Sequence, residues 1–166
     1  MILNIRENDM LEFTDAIIAF KDFDAVDSNP SFTISILDPE MADALVAHGY
    51  NVKITPKNDD SGENWMNFKV YFKFREFEDR NGGLPYVTPE IVLMMGDEPN
   101  LITPDNVSML QKINIQSVDF DAAPNDWTKA GRSGRSCYMR RMRVYAKANR
   151  FSDDISRARA RARSYQ

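Results

Sequence analysis

Apolar and polar residues alternate along much of the chain, and this period of two predicts a protein built mainly of β-strands. In residues 31–37, Phe32, Ile34 and Ile36 alternate with Ser and Thr, which is the pattern of a strand with one buried side. Alternation and enrichment in β-branched and aromatic residues predict further strands at 10–20, 50–55, 65–74, 86–95, 112–120 and 136–147.

Two short helices are predicted between the strands. The segment Asp38–Glu40 supplies an N-cap, a first-turn proline and an acidic charge, and Gly49 favours the end of the helix. Residues 103–105 repeat the start signal and predict a second helix that ends near Gln111. Seven strands without regular strand–helix alternation predict one all-β domain, a Greek-key barrel, rather than a parallel α/β fold.

The strand that begins at Trp65 has the most distinctive pattern. Its even positions are apolar, and Phe68, Phe72 and Phe74 are predicted core residues. Because successive side chains of a strand point to opposite sides, the odd positions share the other side. Aromatic or basic residues occupy that side: Trp65, Lys69, Tyr71, Lys73 and Arg75.

The last predicted strand repeats this arrangement. Apolar residues from Met142 to Ala146 occupy one side, and the opposite side carries Arg141, Arg143 and Tyr145. A surface for single-stranded nucleic acid requires cations for the phosphates and rings that stack on bases. The two strands are therefore candidate parts of one binding groove.

A loop is predicted between the last two strands. Its run from Lys129 to Arg135 places Arg132 and Arg135 among Gly and Ser residues, which would let both side chains adapt to a phosphate backbone. The alternative is an ordinary hairpin loop. Trp127, near a polar turn, suits packing at a barrel rim and stacking on a base equally well.

Charge is divided unevenly along the chain. Residues 1–126 contain 9 Lys and Arg against 23 Asp and Glu, whereas residues 127–166 contain 12 against 2. A basic C-terminal end is typical of polyanion-binding proteins, although mutual neutralisation of the two ends would also account for it. The alternating arginines after Asn149 leave no apolar side to pack. We expect a barrel domain over 1–149 and a basic tail over 150–166 that is flexible or partly helical.

Composition excludes several classes of site. One cysteine (Cys137) and one histidine (His48) exclude a disulfide framework within the chain and a His/Cys metal cluster. No apolar run has the roughly 18 to 20 residues of a membrane span, and residues 1–10 lack the features of a signal peptide. We therefore expect a cytoplasmic protein with no membrane partner, cofactor or bound metal.

Catalytic motifs are missing from the sequence, which favours a binding protein over an enzyme. No Walker-type phosphate loop, GxGxxG, GxSxG or HExxH motif is present. Two alternatives stay open. One is a metal-dependent nuclease or resolvase that uses acidic clusters at 59–63, 76–79 and 97–98. The other is an adaptor protein whose basic tail binds an acidic partner.

The order of these elements resembles the small single-stranded DNA-binding proteins encoded by tailed bacteriophages, which have an OB-fold core. The resemblance rests on the segments FTISILDPEMADALVAHGYNVKI, WMNFKVYFKF and INIQSVDFDAAPNDWTKAGRSGRSCYMRRMRVYAK, and it covers roughly residues 10–147. It implies an OB-fold-like barrel that coats single-stranded DNA without sequence preference during phage replication or recombination in the infected bacterial host.

The resemblance also implies a binding face and a set of partners. By position, the family's barrel face corresponds to Lys53, Trp65, Lys69, Tyr71, Lys73, Arg75, Arg141, Arg143 and Tyr145. Several such proteins recruit replication partners through an acidic tail. The arginine-rich end of this chain departs from that pattern, which suggests that the tail contacts DNA or the acidic N-terminal part. RNA would satisfy the same surface chemistry, and the sequence leaves homo-oligomerisation and the replication or recombination partners open.

Overall fold

The computed structural model describes residues 1–77 and 86–147, and the predicted basic tail at 150–166 lies outside these ranges. The described strands are β1 (Ile2–Ile5), β2 (Leu11–Asp22), β3 (Ser31–Ser35), β4 (Lys53–Pro56), β5 (Asn64–Tyr71), β6 (Arg75–Phe77), β7 (Tyr86–Thr88), β8 (Glu90–Met95), β9 (Glu98–Ile102), β10 (Ile115–Lys129) and β11 (Arg132–Ala146). The described α-helices are α1 (Pro39–Ala47) and α2 (Met109–Lys112), and Glu7–Asp9 form a short 3-10 helix.

Five of the strands form a closed ring. β2 pairs with β3 and β10, β3 pairs with β5, and β10 pairs with β11, all antiparallel. The ring closes where β11 runs parallel to β5, with Tyr138 beside Tyr71. This closed, β-rich ring is OB-like, so the predicted fold class is confirmed.

The remaining strands extend the ring at its edges. β4 adds to β5, and β1 adds to β2. β8 pairs in parallel with the second half of β11 and carries β9 on its other side, so β9 is an outermost strand that contains Pro99. β6 and β7 form a separate two-stranded ladder. The sequence pattern predicted neither β1 nor β9, because apolar and polar residues do not alternate in ILNI or in EPNLI, and β9 contains a proline.

The inward sides of the ring strands meet in a core rich in phenylalanine. The rings of Phe32 and Phe120 pack edge to face with centroids 5.2 Å apart, a geometry that adds to the stability gained from burial. Phe68 and Phe72 are buried, as predicted. Phe74 is half-buried and packs edge-on against Phe72, with centroids 5.7 Å apart.

Helix α1 begins and ends where the sequence predicts. The Asp38 carboxylate accepts a hydrogen bond of 2.9 Å from the Glu40 backbone N–H, and Gly49 follows the helix with a φ of 87°. α2 begins later than predicted, because the Asn106 side chain accepts the Thr103 N–H at 2.7 Å and holds these residues in a turn. None of the described helices has the length and apolar character needed to cross a membrane.

β10 and β11 continue through the region predicted to be a loop, and that prediction is wrong. The strands pair as far as Lys129 with Arg132, and only two residues connect them. Ala130 and Gly131 have φ values of 52° and 76°, as a tight two-residue hairpin turn requires. Residues 125–133 are exposed on both sides of the hairpin, so no buried side marks them as strand in the sequence.

Arg135 fastens this hairpin to the barrel. Its Nη1 donates to Asp9 Oδ2 at 2.6 Å and to the His48 backbone carbonyl at 2.7 Å. Its Nε and Nη2 donate to the two carboxylate oxygens of Asp126 at 2.7 and 3.1 Å. Charge-assisted hydrogen bonds of this kind are among the strongest in proteins. One guanidinium therefore joins three segments that are far apart in sequence.

The same hydrogen bonds change the acidity of the two aspartates. The Arg135 guanidinium lowers the pKa of Asp126. The pKa of Asp9 is lowered first by its hydrogen bond with His48 and then by its hydrogen bond with Arg135. Both pKa values lie below the ordinary value for an aspartate. The two carboxylates therefore stabilise the fold at pH values above that ordinary pKa, and this stabilisation is lost as the pH falls through the lowered pKa values.

We expect Arg135→Ala to lower the melting temperature near pH 7 and to lower it by less near about pH 3. The variant lacks the guanidinium that stabilises the charged aspartates. At low pH the aspartates become protonated in the unmodified protein too, so the difference in stability between the two proteins becomes smaller. Thermal unfolding followed by circular dichroism at the two pH values measures the difference.

Arg132→Ala is the control for this experiment. Arg132 is exposed at the tip of the same hairpin and forms no ion pair within residues 1–77 and 86–147, so its removal should leave the melting temperature unchanged. An equal loss of stability at both pH values in Arg135→Ala would contradict this account.

Candidate nucleic-acid interface

The outer side of β5 presents the aromatic and basic residues that the alternation predicts. Phe68 and Val70 are buried in the barrel, so Trp65, Lys69 and Tyr71 point outward. Trp65 is 51% exposed, and Tyr71 is half-buried. The Lys69 ammonium lies 5.0 Å from the centre of the Tyr71 ring, which is within cation–π range.

Neighbouring strands extend this surface. Phe20 of β2 lies beside Thr33 of β3 in the register, and Thr33 lies beside Lys69 of β5. Directly paired residues of antiparallel strands share a side, so the Phe20 ring, which is 64% exposed, lies on the same surface as Lys69. Beyond β5, Lys53 of β4 pairs with Asn67. We call this outer surface of β2, β3, β5 and β4, together with Tyr138, the aromatic face.

Tyr138 joins the aromatic face at the point of ring closure. Its ring is nearly parallel to that of Tyr71, with centroids 5.8 Å apart and an angle of 28° between the planes. The Tyr138 hydroxyl accepts a hydrogen bond of 3.2 Å from the Asn29 side-chain amide. Two tyrosines from strands that are far apart in sequence, β5 and β11, therefore form one stacked pair at the surface of the barrel.

Phe20, Tyr138 and Arg140 were not predicted from the sequence, and all three lie near bulges. In β11, Met139 and Arg141 pair with consecutive residues of β10, and Arg140 between them is an extra residue. Counting alternate residues from the end of β11 places Tyr138 and Arg140 inside the barrel, whereas Arg140 is exposed. The adjacent arginines were the available signal, since strict alternation would bury one of the two charges.

Three of the predicted cations lie beside the aromatic face. Lys73 and Arg75 follow the end of β5 and are exposed. They line a groove together with Arg141, which reaches it from the bulge in β11. The structure thus brings together most of the residues predicted on the first basic and aromatic strand, and it adds one residue from the second.

Arg143 and Tyr145 belong to another surface. Arg143 pairs in register with Asp119, and the Tyr145 hydroxyl donates to Asp119 Oδ2 at 3.1 Å. Three further carboxylates line this surface, namely those of Glu12, Glu90 and Asp121. Because carboxylates offset the positive charge there, this surface attracts phosphates less strongly than the sequence pattern alone suggested.

The three predicted hairpin residues differ in their surroundings. Arg135 is held by two aspartates and its side chain is 20% exposed, so we leave it out of the proposed interface. Arg132 is exposed at the hairpin tip, away from those carboxylates. Trp127 is 42% exposed, and a Cβ at Gly134 would lie 2.5 Å from its ring, so the indole lies flat on the glycine. A role for Trp127 and Arg132 in DNA binding stays a prediction.

The described residues give no support to the nuclease alternative. Among the residues whose side chains the structure describes, no three His, Cys, Asp or Glu side chains are placed to share a metal ion, and the acidic cluster at 76–79 lies outside these residues. His48 is hydrogen-bonded through Nδ1 to Asp9 at 2.8 Å. Cys137 is buried, and burial raises the pKa of its thiol, which disfavours the nucleophilic thiolate.

Comparison with known proteins agrees with the surface chemistry of the barrel and with the resemblance found in the sequence. Residues 4–160 match the family model described as "Putative phage ssDNA-binding domain". A comparison with curated proteins found no match, and a comparison with solved structures found none either. Since the family match spans nearly the whole sequence, the chain belongs to the family of phage single-stranded DNA-binding domains.

Proposed function

We propose that the protein coats single-stranded DNA without sequence preference, with bases stacked on the aromatic face and phosphates held by nearby lysines. Membership of the family supports binding of single-stranded DNA in general. The mode of binding is inferred from the chemistry of the outer surface of β2, β3, β4 and β5.

One observation carries this proposal, namely that rings and lysines occupy one outer side of adjoining strands. The rings are those of Phe20, Trp65, Tyr71 and Tyr138, and the lysines are Lys53 and Lys69. Each base that stacks on a protein ring contributes about 1–3 kcal/mol. Every base offers a ring face, so stacking does not depend on the DNA sequence.

The dimensions of the aromatic face suit an extended single strand. At about 3.3 Å per residue, the Cα atoms of Trp65 and Tyr71 are about 20 Å apart along β5, which leaves room for several bases. In a duplex the bases stack on one another, so their ring faces are not free to stack on protein side chains. A preference for single strands over duplex follows.

Under this proposal the protein protects or organises the single strands that arise during phage replication and recombination in the host cytoplasm. That role needs no chemical step, which agrees with a binding protein rather than an enzyme. RNA carries comparable rings and phosphates, so parallel titrations with RNA and DNA decide the preference. Replication or recombination proteins and further copies of the chain are the candidate partners.

We expect Phe20→Ala and Trp65→Ala each to weaken binding of an oligothymidine by roughly 5- to 150-fold, which corresponds to the loss of one stacked base. Both side chains are at least half exposed, so their removal leaves the core intact. Fluorescence anisotropy with a labelled oligothymidine, in the presence of excess duplex, measures the change.

Leu101→Ala is the matched control for these two variants. Leu101 is 63% exposed, close to the 64% of Phe20, but it lies on β9, away from the aromatic face. Its replacement should leave the affinity unchanged. Wild-type affinity in both ring variants, with circular dichroism spectra of the folded protein, would refute stacking on this face.

Affinity for oligothymidine should fall steeply as salt increases, because contacts with phosphates release condensed counterions. Each such contact contributes about −0.7 to the slope of log K against log salt for a single strand. Lys69→Ala should make this slope about 0.7 less steep. The control is Lys112→Ala, which removes an exposed lysine of α2 and should leave the slope unchanged. A slope near zero for the unmodified protein would contradict an electrostatic role for the lysines.

A further inference from the structure

A groove lined by basic side chains begins where the aromatic face ends at Tyr138. The groove has a volume of about 780 Å³. Its basic residues are Lys73, Arg75, Arg140 and Arg141. Among the described residues that line it, none is acidic.

Ring closure brings these four cations together from two distant parts of the chain. Lys73 and Arg75 follow β5, the strand that β11 meets at Tyr138. The bulge in β11 then places the consecutive residues Arg140 and Arg141 on the exposed side of the strand. Without the extra residue, one of the two arginines would face the core.

Among the residues whose side chains the structure describes (1–75 and 88–147), no ion pair offsets the positive charge of the groove. The Lys and Arg ion pairs in these ranges are Arg6–Glu12, Lys57–Glu63, Arg135–Asp9 and Arg135–Asp126. Arg141 pairs in register with Glu90 and Asp121, and it lines both the groove and the carboxylate-bearing surface around Arg143. The positive charges that line the groove repel one another and attract a polyanion.

The remaining lining favours the DNA backbone over the bases. Pro89, Ala123, Pro124 and Met139 are apolar, and Asn29, Thr88 and Asn125 add uncharged polar groups. Tyr138 is the one aromatic ring among the described lining residues. One ring offers a stacking position for a single base, whereas four cations can contact several phosphates. The chemistry of the groove therefore differs from that of the aromatic face, where rings outnumber lysines.

We propose that this groove holds the phosphates of the DNA strand where the strand leaves the aromatic face. The inference rests on the proposed function, and it gives the bound strand a path from Trp65, past the stacked pair of Tyr71 and Tyr138, into the groove. Long strands contact both surfaces, whereas short strands bind on the rings alone.

The double variant Lys73→Ala/Arg140→Ala tests the proposal, and Lys112→Ala/Lys147→Ala is a control that removes the same charge. Both control lysines are exposed and lie near the far end of β11, where the Lys147 N–H donates to the Asn114 carbonyl at 2.8 Å. Labelled oligothymidines of about 4 and about 16 nucleotides bracket the site sizes of OB folds. Anisotropy titrations over a series of salt concentrations give the slope for each protein, and circular dichroism confirms folding.

For the longer strand, we expect the slope to become about 1.4 less steep in the groove variant, which corresponds to two lost phosphate contacts, and to stay unchanged in the control. For the shorter strand, both variants should behave like the unmodified protein. An unchanged slope for the longer strand in the groove variant would overturn the groove and leave the aromatic face in place. An equal change in the control would assign the effect to net charge and would also overturn the groove. Failure of the unmodified protein to bind either strand would instead overturn the proposed function.

Discussion

The parallel contact between β5 and β11 determines the geometry of both proposed binding surfaces. It is a single register position, Tyr71 beside Tyr138, yet it closes the ring of five strands. On one side of this contact the two tyrosines stack at the end of the aromatic face. On the other side, the residues after β5 meet the bulge of β11 and form the groove. Opening this contact would separate the two rings from each other, and it would separate the cations that follow β5 from those of β11.

Alternation along a strand predicted the features that depend on one strand alone. The outward positions of Trp65, Lys69 and Tyr71 follow from a period of two that continues unbroken through β5. Helix α1 was also predictable, because capping by Asp38 and a glycine end signal are local properties of the sequence. The fold class followed from the number and spacing of such segments.

Features that depend on pairing between distant strands could not be predicted in this way. The bulge at Arg140 exists only relative to its partner strand β10, and its one local sign is the pair of adjacent arginines in an otherwise alternating strand. Phe20 reaches the surface of Lys69 through an intervening strand. Arg135 forms ion pairs with Asp126, which is nine positions away in sequence, and with Asp9, which is 126 positions away. The Gly and Ser residues around Arg135 predicted a mobile side chain, whereas these ion pairs hold it in place.

The position of charges along the folded surface matters more for DNA binding than the net charge of −4. Arginines of the last strand fall on two surfaces, because the bulge directs Arg140 to the groove while Arg143 pairs with Asp119. Carboxylates beside Arg143 weaken the field there and so restrict strong attraction for phosphates to a smaller area. A mostly acidic chain can in this way still offer a narrow positive path.

Pro99 lies in β9, an outermost strand of the main sheet. Unpaired N–H and C=O groups on such a strand form a template for strand addition by another copy, and proline lacks the N–H group that this addition requires. Copies bound side by side on one stretch of DNA would be at high local concentration, which favours pairing between edge strands of neighbouring molecules. Under the proposed coating of DNA, the proline favours neighbouring copies that remain separate barrels and that can dissociate from the strand one at a time.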